Sequence, residues 1–438
     1  MQKRGGHDSS ETRSHVRVTL PNVGGGCATL LLRAFLLKAL SKEVSVSTQN
    51  STRSKVQQLG VPLAVGVVAG LGARYLLQRS RERHEQYASE PARAVDWNRA
   101  RRVALRVSGW DQFPVTDRAT KEAQYRAFVQ ESEAAISSYL GVSLPKSVEE
   151  VIVVDRKEWL TANFETLKQT LEPVEELYKT FHKQGQGSAW DAPLAGVQLG
   201  GVFGYLSRRV LGQYEMGLLA PEPPEQGVLY FVEPNIERIQ TKLGLSDEFR
   251  YWIALHEVTH VFEFEAHPWV RGHFSALVQE FMGAMTKGLA EQGVGLGAFV
   301  QRLKENASFE RHWTSWVMTP EEHALFERLQ ALMSLVEGYS DHVMNELGRQ
   351  LLPNFAMIER KIKASKQTRS PLDELLERLM GIDLKRAQYR EGEAFVNGVV
   401  AARGLDFLNQ VWEKPENLPS LVEIRNPQGW VNRLDESG

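Results

Sequence analysis

Apolar residues recur every three to four positions along most of the chain after Asp96, which predicts helices. Trp97–Val107, Thr116–Leu140 and Arg156–His182 are the first three. Two short β-branched runs interrupt this pattern, Val151–Val154 and Val228–Val232, and read as strands. Pro234 follows the second run, which suits an edge strand. Gly196, Gly200 and Gly204 recur every fourth residue, placing glycines on one helix face where a neighbouring backbone can come close. Thr319-Pro320-Glu321-Glu322 is a capping box with proline at the first helical position. It opens a helix expected to run to Glu346 and stop at Gly348. Ser370-Pro371 opens a short helix that Gly381 ends, and Asp383–Arg403 forms another, ended by Gly404. Beyond Pro415 the pattern predicts a mostly irregular tail. No internal repeat is present. The expected fold is therefore α+β and predominantly helical, with a small sheet.

Before this region the pattern fails. Within residues 1–80, eleven Lys and Arg stand against three acids, among many Ser and Thr. Residues 1–85 thus read as a disordered segment, with an organelle transit peptide or a membrane anchor as alternatives. The anchor reading rests on residues 59–77, apolar but for Arg74, with a Gly66-x-x-x-Gly70 spacing. Its uncharged part, Leu59–Ala73, is shorter than the ~20 residues that span a bilayer. Were it to span, Arg74, Arg79, Arg81 and Arg83 would hold the rest in the cytoplasm. Residues 86–438 form the globular region.

Composition narrows the chemistry. The chain has 438 residues, a net charge of −2, and 24% charged residues, a balance that argues against nucleic-acid binding. One cysteine, Cys27, excludes an internal disulfide framework and a cysteine-rich zinc site. A metal would have to be held by histidine and carboxylate.

Residues 256–260 supply such a set: His-Glu-Val-Thr-His. On a helix His256 and His260 lie one turn apart on one face and can hold a single Zn²⁺ through nitrogen. Glu257 then lies beside the metal's open position, where it can take a proton from a metal-activated water. Ser246 is the expected N-cap of this helix, and His267-Pro268 its end. The Val228–Val232 strand precedes it and is expected to lie along a substrate cleft.

A third ligand is needed. The metzincin pattern fails, because Glu263 and Ala266 stand where Gly and His are required. The glutamate-zincin pattern asks for Glu-x-x-x-Asp on a later helix, and residues 337–341 read Glu-Gly-Tyr-Ser-Asp. Glu337 is the expected ligand, and Asp341 the carboxylate that orients a ligand histidine. His267, Glu265 and His273 are the rivals. Tyr339, His342, Tyr214 and Arg271 are candidates for contacting substrate or a developing oxyanion. The metal-site segments are thus 246–267 and 319–347.

The chain resembles a family of actinobacterial and chloroflexus-type zinc-dependent metalloproteases labelled deazaflavin-coenzyme biosynthesis-associated. The resemblance rests on Val95-Asp96-Trp97, Gly204-Tyr-Leu-Ser-Arg-Arg-Val-Leu-Gly-Gln-Tyr214 and His256-Glu-Val-Thr-His260. It continues through Pro268-Trp-Val-Arg271-Gly-His273, Val336-Glu-Gly-Tyr-Ser-Asp341, Gln388-Tyr389, Phe395, Trp412 and Leu418-Pro419. It implies a largely helical fold with a zincin-like core, His256 and His260 as ligands, Glu257 as base, and Glu337 as third ligand. The expected activity is zinc-dependent hydrolysis of a peptide or amide bond. A small-molecule amidohydrolase of cofactor metabolism and a catalytically silent zincin-like scaffold are the alternatives.

Overall fold

The computed structural model describes residues 93–183, 192–217, 224–291, 319–367 and 382–437. The first helices are α1 (Trp97–Ser108) and α2 (Arg118–Leu140), followed by strand β1 (Val151–Val154). Helices α3 (Arg156–Thr170), α4 (Glu172–Lys183) and α5 (Ala192–Leu206) lead to β2 (Gly212–Glu215) and β3 (Val228–Val232). Then come α6 (Glu233–Leu243), α7 (Glu248–Glu265), α8 (Pro268–Glu291), α9 (Pro320–Leu351) and α10 (Phe355–Gln367). Helices α11 (Ile382–Arg403), α12 (Leu405–Asn409), α13 (Leu421–Arg425) and α14 (Pro427–Ser437) complete the described residues. The fold is predominantly helical α+β, as the apolar period predicts.

The sheet is small, in the order β1-β3-β2. β1 pairs with β3 in parallel, Val151 opposite Leu229, and β2 pairs with β3 antiparallel, Gly212 opposite Phe231. β3 is therefore the central strand, not the edge, and all five of its residues are buried. Pro234 ends no edge strand. It sits in the first turn of α6, where its missing N–H costs nothing. The edges are β1 and β2, and the four residues of β2 carry too weak a pattern to announce a strand.

α7 runs through the middle of the molecule. Fourteen of its eighteen residues are buried, so it is apolar on nearly every side. It packs on α2, α8, α9 and β2. A buried charged cluster fixes its start: Arg250 of α7 and Lys121 of α2 both bond Glu233 of α6, and Tyr125 donates to the same carboxylate at 2.7 Å. Such a cluster is satisfied as a set, and removing one member would strand a buried charge. Asp247, not Ser246, occupies the N-cap position of α7.

Close glycine crossings bring other helices together. A Cβ on Gly196, Gly200 or Gly204 of α5 would lie 2.3–2.6 Å from carbonyl oxygens of Asp96, Ala100 and Ala104 on or beside α1. The four-residue glycine spacing therefore does let a second helix backbone approach. α9 opens on the expected capping box, with Thr319 and Glu322 bonded reciprocally. It does not stop at Gly348 but runs to Leu351, and Gly348 instead makes room for the Phe355 ring, 2.6 Å from where a Cβ would be. The region beyond Pro415 is likewise more ordered than its prolines suggest. α13 has a full capping box, and Trp430 of α14 is completely buried. The segments 1–85, including 59–77, and the helix at Ser370 lie outside the described residues. Among the described residues no helix is long and apolar enough to cross a membrane.

Candidate metal centre

His256 and His260 stand one turn apart on α7, with ring centroids 4.7 Å apart and planes at 81°. Glu337 enters from α9. One ligand atom from each of the three lies within 4.8 Å of the other two. Nε2 of His256 is 3.8 Å from Oε2 of Glu337. Ligand atoms in a tetrahedral zinc site with ~2.0 Å bonds stand ~3.3 Å apart, so small side-chain rotations close this set around an ion. The donor set, two imidazoles and a carboxylate, is one that zinc hydrolases use.

The second nitrogen of each imidazole faces a carboxylate. Nδ1 of His260 is 2.7 Å from Oε2 of Glu263, which leaves Nε2 for a metal. Nδ1 of His256 is 3.7 Å from Oδ1 of Asp341, close but beyond hydrogen-bond length. Of the two histidines, Asp341 thus sits beside His256, a choice that the sequence leaves open. Glu263 was not anticipated. Its spacing, three residues after His260 on the same helix face, was the available signal.

Electrostatics favour a positive charge here. Burial pushes the His260 imidazolium down, but Glu263, Glu337 and Glu257 outweigh this and raise its pKa to about 10. The carboxylates that hold a proton on that ring would equally attract a metal cation. Burial pushes the Glu257 carboxyl up to about 7, opposed by His260 and assisted by Glu337. A cation beside it would draw it back towards the ionised form.

Glu257 lies against β2. A backbone N–H of Tyr214 bonds its carboxylate, and a Cβ on Gly212 would fall 2.4–2.6 Å from its side-chain atoms. Glycine at 212 is what allows the strand to lie over this acid. Beneath the strand, Gln213 bonds Trp159, Asn163 and Glu215, which pins β2 from its other face.

The other candidates are engaged elsewhere. The Tyr214 hydroxyl donates to Glu265 and accepts from the Gly227 amide. Arg271 bonds the Met216 carbonyl and lies 3.6 Å from Glu265. Tyr339 donates to Asn409 at 2.8 Å. His342 sits between the Tyr139 hydroxyl at 3.1 Å and Oδ1 of Asn397 at 2.8 Å. Of the rival ligands, Glu265 is the partner of Tyr214, His267 stacks on Trp412, and His273 meets Trp269 edge to face. Among the described residues only His256, His260 and Glu337 gather as a possible metal-binding group.

The model of the zincin-like metallopeptidase family matches residues 95–431. The chain belongs to the zincin-like metallopeptidases. A crystal structure from Chloroflexus aurantiacus, described as a candidate hydrolase with a novel fold, is similar at 48% identity and a TM-score of 0.60. The match covers 78% of this chain and all of that one. Among curated proteins none matches. The deazaflavin-coenzyme label finds no support in either match. In this zincin-like metallopeptidase the histidine pair on α7 and the carboxylate on α9 form a possible metal-binding triad.

Proposed function

We propose that this zincin-like protein is a zinc-dependent hydrolase of the glutamate-zincin type that cleaves a peptide bond. One observation carries the reading: the ligand atoms of His256, His260 and Glu337 converge within 4.8 Å, in a chain of the metallopeptidase family. Zinc bound there supplies Lewis acidity to the scissile carbonyl and to the attacking water. The protein's own groups do the rest. Glu257, adjacent to His256 in sequence and buried against β2, takes the proton from the attacking water and delivers it to the departing amine. Glu263 holds His260 with its Nε2 free for the ion, and Asp341 steers His256 in the same sense. Substrate lies beside β2, the strand at the sheet edge next to Glu257. Tyr214, Tyr339 and His342 keep their present hydrogen bonds and contribute support to the cleft.

Metal analysis of the purified protein, followed by a peptide-library digest, tests this. The expected result is one zinc per chain and cleavage by wild type. Glu257→Gln should keep the zinc and lose turnover by ~10²-fold or more. Zinc retained by the His256→Ala, His260→Ala double variant would overturn the site, and equal digestion by Glu257→Gln would overturn the mechanism.

A further inference from the structure

Behind the metal centre is a cavity of about 220 Å³ whose wall includes Glu263. It is larger than the ~150 Å³ apolar cavity that takes a benzene molecule. Phe262, Tyr339 and Trp412 give it aromatic walls, and Asp406 and Glu413 are exposed on its lining. Glu263 is 1% exposed, and its second oxygen, Oε1, has no hydrogen-bond partner. A buried carboxylate oxygen in that condition costs free energy until a donor reaches it. Among the described residues no lysine or arginine lines the cavity. His267 does, but burial holds its pKa down at about 4, so it brings no positive charge at neutral pH.

These features select an occupant. Asp406 and Glu413 put two exposed carboxylates on the lining, opposed there by no lysine or arginine among the described residues, so the cavity disfavours an anion. Aromatic faces attract a cation electrostatically as well as an apolar stem. The unpartnered Glu263 oxygen wants an N–H or O–H donor. We propose that this cavity binds an ammonium group carried on a short apolar stem, supplied either by a free amine or by a basic side chain of a peptide. Its occupant would sit one carboxylate away from His260, because the other oxygen of Glu263 bonds that ring.

The proposal stands apart from the hydrolytic reading, since binding can be measured without turnover. The full-length, zinc-loaded protein is titrated calorimetrically with 2-phenylethylamine and with its neutral isostere 2-phenylethanol. The amine is expected to bind at least about tenfold more tightly than the alcohol. Asp406→Asn combined with Glu413→Gln alters exposed residues only, so the fold should survive. This variant should weaken the amine about three- to tenfold and leave the alcohol unchanged. Equal affinities for the two probes would overturn the proposal. So would amine binding that ignores the double variant, which would place the amine on the zinc instead. A crystal soaked in the amine that shows ordered water alone in the cavity would overturn it too. Displacement of the bound amine by a lysine-containing decapeptide, but not by its alanine counterpart, supports a peptide side chain as the source. Failure of both peptides to displace it supports a free amine.

Discussion

Both candidate ligand imidazoles face a carboxylate through Nδ1, but the two partners differ in reach. Glu263 is 2.7 Å from His260, while Asp341 is 3.7 Å from His256. Losing a carboxylate that orients a ligand histidine typically costs ~10–100-fold in metal affinity or activity. Glu263→Gln is therefore expected to weaken zinc by one to two decades, and Asp341→Ala by less, when each competes with a chelator. Asp341→Ala weaker than Glu263→Gln would reverse the order of the two contacts. A second comparison separates ligand from base. Glu337→Gln should weaken zinc binding because the site loses an anionic donor, whereas Glu257→Gln should leave it intact. Equal zinc affinity in Glu337→Gln and wild type would remove Glu337 from the metal. At this scale the sequence was readable wherever chemistry is local. His256, Glu257 and His260 follow from a five-residue spacing. Glu337 needed a pattern on a second helix, and Glu263 was passed over although it lies on the motif's own helix. For Tyr214, Tyr339 and His342, the expected substrate or oxyanion contacts, the hydrogen-bond partners come from distant segments that no local pattern reveals: Glu265, Asn409, Tyr139 and Asn397.

The elements that carry these residues meet through positions without side chains. Gly338, next to Glu337, faces Gly392 of α11, and a Cβ there would lie 2.2 Å from the Gly392 carbonyl carbon. A Cβ on Gly392 would meet the Ser334 carbonyl oxygen at 1.9 Å. Backbone cannot give way as a side-chain tip can. Gly392→Ala should thus force α9 and α11 apart, costing at least about 1–3 kcal/mol, and weaken zinc binding with it. Denaturant unfolding and zinc titration of the same variant check both. Gly212→Ala is a different case, because its added methyl meets Glu257. The expected outcome is full zinc occupancy with turnover reduced about tenfold or more, since the acid is displaced while the ligands are not. Unchanged turnover would show that Glu257 tolerates the shift. The helices were legible from their apolar period and capping boxes, and the glycine stripe of α5 from its spacing. The sheet order was not. β3 is so apolar that it reads as a strand wherever it lies, and β2 is only four residues with no alternation, Gly-Gln-Tyr-Glu. Its place is set by pairing with β3 and by the Gln213 network beneath it, neither of which leaves a local mark. The helices after Pro415 were hidden by their prolines, though Ser420 and Glu423 form a capping box that the same rule could have found.

At the scale of the whole molecule the two ends of the described chain have unequal duties. Near the start, the Ala94 and Val95 amides and the Trp97 indole all donate to Glu175, at 2.7, 3.2 and 3.0 Å. Asp96 caps α1, and its amide donates to the Ala192 carbonyl. The packed structure is therefore anchored from Ala94 onward, in step with a family match that begins at residue 95. The other end closes over the helices that carry the candidate metal ligands. Asn409 accepts from Tyr339, two residues after Glu337. The Trp412 carbonyl accepts from Trp269 at 2.7 Å, and its ring stacks on His267. Trp430 packs edge-on against Phe395 and Phe407, wholly buried. Buried aromatics of this size dominate core energetics, so their loss exposes the face of α9 and α11 that they cover. Two truncations should behave oppositely. A chain lacking residues 1–90 should fold and carry one zinc. A chain ending at Gly404 should lose its near-ultraviolet circular dichroism and its zinc together. Metal analysis and that spectrum, taken on both, decide the matter. A zinc-loaded, well-packed protein ending at Gly404 would show that the C-terminal helices are an addition to the metal centre and not part of its support.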